Sequence, residues 1–425
     1  MSSATYEVLR RAWRLIPRSV RRPLFRTGNA LLAPVLAPVP SVESNATPGP
    51  VTVVGVLTST SGLGYGARLC LAALHQAGLD TRHGDVSRAF RAQDLPAVKL
   101  PGRPAGEGEG GLLVAHVNPH VLPLAFMVLG KARLRGKRVA GYWAWELPAI
   151  PTSWKRSFKF VHEIWVPSRF TAEAFRPDTD LPIRIVPHPV ARPLPARLSR
   201  AALGLPENAF VALTMFHMGS GFVRKNPIGA VRAFRTAFGD KPNAMLLVKV
   251  ADGELLPWAM KELESAVGGA PNIRIMHDKL SQEGLDSLMQ HADVILSLHR
   301  AEGFGLVLAQ AMLVGKPVIA TGWSGNMDFM SRRNSILLDH ELIPVQDPQG
   351  KYAQGDQNWA DPDIEQAADW LVRLARSPDL RRKIGQAAAE DMAERFTLRS
   401  YLDAIGPSLA LVRSRSDGAS ETEAA

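Results

Sequence analysis

Four short runs concentrate the residues whose types and spacing could do chemistry. In "RAEGFGLVLAQAM", residues 300–312, a carboxylate at Glu302 stands directly before Gly303, Phe304 and Gly305, and an apolar run with one polar member, Gln310, follows. Glycines let a backbone approach a ligand closely, and the first N–H groups of a helix point at negative charge. Glu302 could accept hydrogen bonds from sugar hydroxyls there, or it could be a helix N-terminal acid worth about a few tenths of a kcal/mol. In "RKNP", Arg224 and Lys225 precede a helical run. A fixed cation at such a point would suit an anionic ligand; the alternative is a solvated charge at a helix start. "SGLGYG" brings Gly62, Gly64 and Gly66 between a strand and a helix, a turn suited to phosphates. With Asp85 about 20 residues further on, it also resembles a dinucleotide-binding unit, although its spacing is Gly-x-Gly-x-Gly. In the last run, "GYWAWEL", Trp145 and Glu146 close an apolar stretch. The carboxylate suits hydroxyl groups and the indole suits the C–H faces of a sugar, with core packing as the alternative for Trp145. His116, in "VAHVNPH", sits at a strand end and competes with His120; Asn326 and Asp328, in "SGNMDF", suit a ligand loop or plain helix caps.

Metal chemistry is not expected. "DTD" (178–180) and "DPD" (361–363) have the Asp-x-Asp pattern of a divalent-ion site, but both fall where turns are expected and aspartate is common anyway. The histidines show no metal spacing backed by a third ligand. Cys70 is the only cysteine, which excludes an intramolecular disulfide framework and a cysteine-rich zinc site.

The elements that must position these residues alternate. "VTVVGVL", "GLLVAHVN", "RVAGYWAW", "EIWVPS" and "IRIVPHPV" read as strands, separated by helical stretches such as "PTSWKRSFKFVH" and "RFTAEAF". After "PLPARLSRAALGLPENA" the pattern restarts with "FVALTMFH" and runs through "AMLLVKV", "NIRIMH", "DVILSLH" and "KPVIAT", each followed by a helix. The implied class is α/β, with two doubly wound parallel sheets. We expect a basic segment and linker over 1–50, a first Rossmann-like domain over 51–199 and a second over 200–395. A helix over 396–413 is expected to cross back to the first lobe, and a disordered tail covers 414–425. Ligands of open parallel sheets lie at the carboxyl ends of the strands, which is where all four runs fall.

A chain of 425 residues is too long for one ordinary core, and 50 Lys and Arg against 40 acids favour anionic partners. Arg10, Arg11, Arg14, Arg18, Arg21, Arg22 and Arg26 face a single acid, Glu7, in the first 28 residues. Tyr6, Leu9, Trp13 and Ile16 recur there at helical spacing, so residues 5–26 read as a peripheral contact with an anionic membrane or as a helix on the protein's own surface. No apolar run is long enough to cross a bilayer, and the proline-rich stretch before residue 40 does not read as a secretory signal. A cytoplasmic location, peripheral to the inner face of the membrane, is the expectation. The arginines lack interleaved aromatic platforms, so no nucleic-acid partner is expected.

"EGFGLVLAQAM" followed by "GKPVIATGWSGNMDFM" resembles the retaining glycosyltransferases of GT-B architecture, the large family with a Glu-x7-Glu motif that includes many mannosyl-, glucosyl- and rhamnosyltransferases. "GYWAWELPAIPTSWKRSFKFVHEIWVPSRFTAEAF", "RKNPIGAVRAF" and "WADPD" fall in that family's order, and the likeness covers roughly residues 51–395. It implies two Rossmann-like lobes facing across a cleft, a nucleotide diphosphate sugar as donor substrate, no cofactor and no essential metal. It implies that Glu302 contacts the donor sugar, that Gly303, Phe304 and Gly305 lie along sugar and phosphate, and that Lys225 binds the diphosphate. The glycine turn at Gly62, Gly64 and Gly66 would face the phosphate from the first lobe, and His116 the donor sugar. Trp145 and Glu146 fall on the acceptor side, with a glycan or lipid-linked glycan as acceptor. Two departures stand out. Gln310 occupies the place of the motif's second acid, where it would contact the ribose, and the arginine expected before Lys225 is replaced by Gly219, Ser220 and Gly221, leaving Arg224 as the substitute.

Overall fold

The computed structural model describes residues 33–40, 48–90, 92, 95, 98–353 and 355–412. The basic segment at 5–26, linker residues 41–47 and the tail from 414 on lie outside them. Strands β1 (Val51–Gly55), β2 (Thr81–Asp85), β3 (Arg103–Pro104), β4 (Leu112–His116), β5 (Arg138–Tyr142), β6 (Glu163–Val166) and β7 (Ile183–Ile185) form one sheet. Its order is β3-β2-β1-β4-β5-β6-β7, and every pairing is parallel. A second parallel sheet, of order β10-β9-β8-β11-β12-β13, is built from β8 (Phe210–His217), β9 (Ala244–Ala251), β10 (Ile273–Met276), β11 (Val294–Ser297), β12 (Val318–Thr321) and β13 (Ile336–Leu338). Strands β1, β4 and β12 are buried from end to end, which is why they read as continuous apolar runs and not as alternating ones.

Helices cover the sheets: α1 (Gly62–Gln76), α2 (Leu122–Leu129), α3 (Arg169–Phe175), α4 (Pro227–Phe238), α5 (Pro257–Val267), α6 (Gln282–His291), α7 (Leu306–Leu313), α8 (Ile364–Arg376), α9 (Pro378–Arg395) and α10 (Leu398–Ala410). Their starts follow from local chemistry. Ser61 Oγ accepts from Gly64 N, Ser168 Oγ from Thr171 N and Asn226 Oδ1 from Gly229 N, each supplying a partner that the first turn lacks. "PTSWKRSFKF" forms a 3-10 helix, Thr152–Phe160, with Trp154, Ser157 and Phe160 buried. That spacing of three suits three residues per turn.

Two features bridge the lobes. Helix α10 lies in the core of the first sheet: Tyr401, Ile405 and Leu409 pack with Val53, Cys70 and Leu71, and Tyr401 Oη donates to Cys70 Sγ at 3.1 Å. An antiparallel hairpin, β14 (His340–Pro344) with β15 (Asn358–Pro362), leaves the second sheet and carries Tyr352 into a cluster with Trp145 and Trp154 of the first lobe. Side-chain amides of its loop fasten it on both sides, Gln357 Oε1 accepting from Ala149 N at 2.8 Å and Gln349 Oε1 from Phe222 N at 2.8 Å.

Candidate functional site

The carboxyl ends of β8 and β11 bring the two strongest candidates together. Beyond β8, the short helix Phe222–Lys225 ends at Asn226, whose φ of 50° turns the chain sharply into α4. Beyond β11, the segment at Arg300 is pinned to it: Arg300 N donates to Arg224 O at 2.7 Å and Arg300 Nη1 to Val223 O at 2.8 Å, while Arg300 also pairs with Asp361 on β15. This stitching sets Lys225 Nζ on Glu302 Oε1 and Arg224 Nη1 3.3 Å from Glu302 Oε2. Burial alone would raise the pKa of Glu302, but Lys225 and Arg224 outweigh it and bring it to about 2. Burial pulls the Lys225 ammonium down while Glu302 holds it up. The carboxylate is therefore ionised throughout the physiological range, and it lies beside a cation at the start of α7.

The loop into α7 is shaped by glycine and serine. Gly305 has a φ of 99°, a conformation that side chains disfavour, and places the first turn of α7 over the loop. Ser324, also at positive φ (77°), accepts from Glu302 N at 2.8 Å. A Cβ on Gly325 would lie 2.3 Å from Gly303 O, so two backbone segments touch there. Asn326, read from sequence as a cap or a ligand-loop residue, is buried between His299 Nε2 at 3.1 Å and Thr321 O at 3.1 Å. Asp328 accepts from Arg169 N, across the lobes, at 2.7 Å.

The first lobe faces this loop with the start of α1. Gly62, Gly64 and Gly66 lie inside the first turns of the helix, with ordinary negative φ, and not in a loop before it. They serve close approach: a Cβ at Gly64 would meet Val56 O at 2.6 Å, and one at Gly66 would meet the His188 ring at 2.6 Å. Asp85, which suggested the dinucleotide unit, is consumed by the turn, accepting from Leu57 N at 3.0 Å, Thr58 Oγ1 at 3.0 Å and Ser87 N at 3.0 Å. Tyr65, unnoticed in sequence, reaches across the seam and its Oη accepts from Gln310 Nε2 at 2.7 Å. His188 packs edge-on to Phe304 at 5.3 Å, another contact between the lobes.

His116 is buried at the end of β4, stacked on Tyr142 at 4.2 Å, and neither ring nitrogen has a hydrogen-bond partner. Burial holds its pKa well below that of an ordinary histidine, so the ring is neutral. His120 stacks on Trp154 at 5.7 Å instead. A buried polar group without a partner is uncommon and calls for an explanation such as a ligand. Glu146 is similar: Oε1 lies 3.9 Å from Arg224 Nη2, and Oε2 is buried without a partner. Gly303 lies beside it, since a Cβ there would sit 3.7 Å from Glu146 Cγ.

Two expectations need correction. Trp145 cannot stack on a sugar: it is core, its Nε1 donating to Ala149 O at 2.8 Å and its ring wedged against Trp154 at 4.8 Å and Tyr352 at 5.5 Å. Arg224 does not stand free toward the cleft. Nε and Nη2 donate to Ser220 O at 3.1 and 2.8 Å, and Nη1 binds Ala301 O. It braces the Glu302 loop from beneath, and Tyr352, Glu302 and Glu146 keep it charged despite burial. The aspartate pairs are also structural, Asp178 pairing with Lys155, Asp361 with Arg300, and Asp363 capping α8. Among the described residues no group of three or more His, Cys, Asp or Glu side chains is arranged to hold a metal ion, and no helix is long and apolar enough to cross a membrane.

Comparison with known proteins bears on this geometry. The fold is that of HepE from Anabaena, solved in complex with UDP and glucose, at a TM-score of 0.62 with 14% identity, over 85% of this chain and 99% of that one. Sucrose-phosphate synthase from Thermosynechococcus elongatus aligns with a TM-score of 0.60 and 15% identity, over 85% of this chain and 98% of its own. The architecture is thus GT-B. In sequence the chain is 31% identical over 173 residues to a D-inositol 3-phosphate glycosyltransferase of Corynebacterium urealyticum, covering 38% of this chain and 36% of that one. A D-inositol 3-phosphate glycosyltransferase of Saccharomonospora viridis is 28% identical over 225 residues, 50% of this chain and 46% of its own. The matches span less than half the length of either relative. Residues 177–396, just over half of the chain and including Lys225, Glu302 and Gln310, match the family described as family 4 glycosyltransferases in conflict systems, and the chain belongs to that family.

Proposed function

We propose that this protein is a glycosyltransferase that moves a hexose from a nucleotide diphosphate sugar to a glycan or lipid-linked glycan acceptor in cell-surface polysaccharide synthesis, with retention at the anomeric carbon. The observation that carries the reading is the juxtaposition of Lys225, Glu302 and the start of α7 opposite the glycine-lined start of α1. In this reading the diphosphate lies against Lys225 and the N–H groups of α7, where negative charge developing on the leaving phosphate is offset. Glu302, fixed and ionised, accepts from hydroxyls of the donor sugar. The neutral, unpartnered ring of His116 offers a hydrogen bond to the same sugar from the other lobe, and Glu146 Oε2 receives an acceptor hydroxyl. No metal takes part, and the leaving phosphate itself assists deprotonation of the acceptor.

Mannose is the favoured sugar on the likeness in "SGNMDFM", with glucose the alternative. A rival reading, a sugar-nucleotide-binding scaffold without turnover, draws on Gln310 in the place of the motif's second acid and on its bond to Tyr65. One experiment separates them. GDP-mannose, UDP-glucose and related donors are scored by thermal shift, since a ligand that binds the folded state raises its stability. Nucleotide release is then followed with a panel of glycan acceptors, and product configuration is read by NMR. Stabilisation by a sugar nucleotide with release of its nucleotide supports the enzyme; stabilisation without release across the panel supports the scaffold. No stabilisation by any donor refutes both.

A further inference from the structure

Both chain crossings between the lobes converge on one side chain of the loop into α7. Phe304, buried and flanked by Gly303 and Gly305, meets His188 edge-on at 5.3 Å and Phe396 edge-on at 5.8 Å. His188 belongs to the run after β7 that carries the chain into the second lobe, and Phe396 ends α9, directly before α10 returns it to the first. Phe329 closes the group, 5.1 Å from Phe304 and 5.9 Å from Phe396. In a close-packed cluster of this kind a shift at either crossing is felt by the wall of the loop.

His188 also touches the opposite wall. A Cβ on Gly66, in the first turns of α1, would lie 2.6 Å from Cε1 and 2.9 Å from Nδ1 of its ring, so helix backbone and imidazole are in contact. The space between Gly66 and Phe304 is thus one ring wide. Its filler is held from behind: Tyr142 Oη gives its single proton to Val186 O at 2.8 Å, so at 3.3 Å from the same oxygen Nδ1 carries the hydrogen and donates. Burial brings the pKa of His188 to about 3, and the ring keeps this uncharged form. A site is held to its working geometry by side chains locked in this way, through packing and a supporting hydrogen bond.

We propose that His188 is a positioning residue for the donor: its ring is the spacer that fixes the separation between the start of α1 and the Gly303–Gly305 loop, and so the width of the slot that takes a nucleoside diphosphate. The inference rests on the transferase reading for the ligand and on the contacts of the ring for the spacer.

The test is calorimetric titration of the full chain with GDP, UDP, ADP and dTDP, with thermal unfolding alongside. His188→Ala removes the spacer, Gly66→Ala drives a methyl group into the ring, and the double substitution lets that methyl take room the ring has left. Leu374→Ala, in the core of the second lobe, lowers stability by core packing alone and is the control. Each single substitution at 66 or 188 is expected to weaken the bound nucleotide by roughly tenfold or more, as a small misplacement in a binding slot does. The double variant should bind roughly threefold or more tightly than Gly66→Ala alone, because the two side chains share one space. Leu374→Ala should bind as the unaltered chain does. The proposal alone is overturned if His188→Ala keeps full affinity, if Gly66→Ala is not relieved by loss of the ring, or if Leu374→Ala weakens binding as much as His188→Ala. Failure of the unaltered chain to bind any of the four nucleotides overturns the transferase reading, and the proposal with it.

Discussion

The bond between Gln310 and Tyr65 can be weighed by a double-mutant cycle. Gln310 Nε2 donates to Tyr65 Oη at 2.7 Å across the seam, and the amide is nearly buried there. Tyr65→Phe removes the acceptor and leaves the amide N–H unpaired. An unsatisfied buried donor costs roughly 1–3 kcal/mol, and the seam is close enough to solvent to favour the lower end. The cost falls on the closed arrangement alone, because water serves Gln310 when the lobes part. A nucleotide held between the lobes favours closure, so affinity declines with the closed population, by about tenfold for 1.4 kcal/mol. Gln310→Glu behaves differently. Burial raises the pKa of Tyr65, its hydroxyl stays protonated, and it can donate to a carboxylate at position 310. That variant is expected to keep affinity within about threefold, the charged acceptor replacing the amide donor. The assay is calorimetric titration with the donor nucleotide for Tyr65→Phe, Gln310→Leu and the pair, with thermal unfolding alongside. A coupling energy near 1 kcal/mol is expected for two side chains in direct contact. Additive effects of the two single substitutions would refute the reasoning.

Three further outcomes follow from the geometry. Lys225→Ala and Glu302→Gln should each lower turnover by roughly 10²-fold or more, because each removes a preset charge from the site; steady-state rates beside nucleotide affinity check this, and affinity falling as far as rate would point to binding alone. His188 and His299, buried and neutral, have pKa values lowered by burial to about 3 and about 4, below 6.5 in an unfolded chain. The unfolded state therefore binds protons that the folded state does not, and stability falls as pH drops below 6.5, by about 1.4 kcal/mol per pH unit for each histidine until the folded pKa is reached. Denaturant unfolding at pH 7.5 and 5.5 measures it, and equal stabilities would contradict the burial. Gly325→Ala puts a methyl 2.3 Å from Gly303 O, a backbone atom that cannot swing away. It should displace the Glu302 loop and lose roughly 2 kcal/mol or more, read by the same unfolding assay.

Much of the scaffold was legible because parallel strands buried on both faces leave long apolar runs, and each run between 51 and 57 or 210 and 217 became a central strand. Glu302 and Lys225 are 77 residues apart, and composition says nothing of their contact; the ordered likeness to a family pointed to a shared donor, and not to the ion pair between them. The seam was harder. Trp145 looked like a sugar platform because an indole beside a carboxylate suits one, but the hairpin that buries it starts nearly 200 residues later. Tyr65 and His188 carried no local signal, since their partners Gln310 and Phe304 lie in the other lobe. Arg224 misled for another reason: it reaches the same carboxylate as Lys225, but the rest of its guanidinium is held by backbone carbonyls and does not stand free toward the cleft.

The seating of α10 has a consequence for how the protein is made. Tyr401, Ile405, Leu409 and Val412 complete the cluster around Val53, Cys70 and Leu71, so the first lobe is finished by residues that are translated after the second. During synthesis the first sheet must wait, one flank of its core open to water, while the entire second lobe is translated and folds beside it. A fragment ending near residue 200 would carry that open flank permanently, and attempts to express the first lobe by itself should recover it only with α10 supplied, in line or in trans.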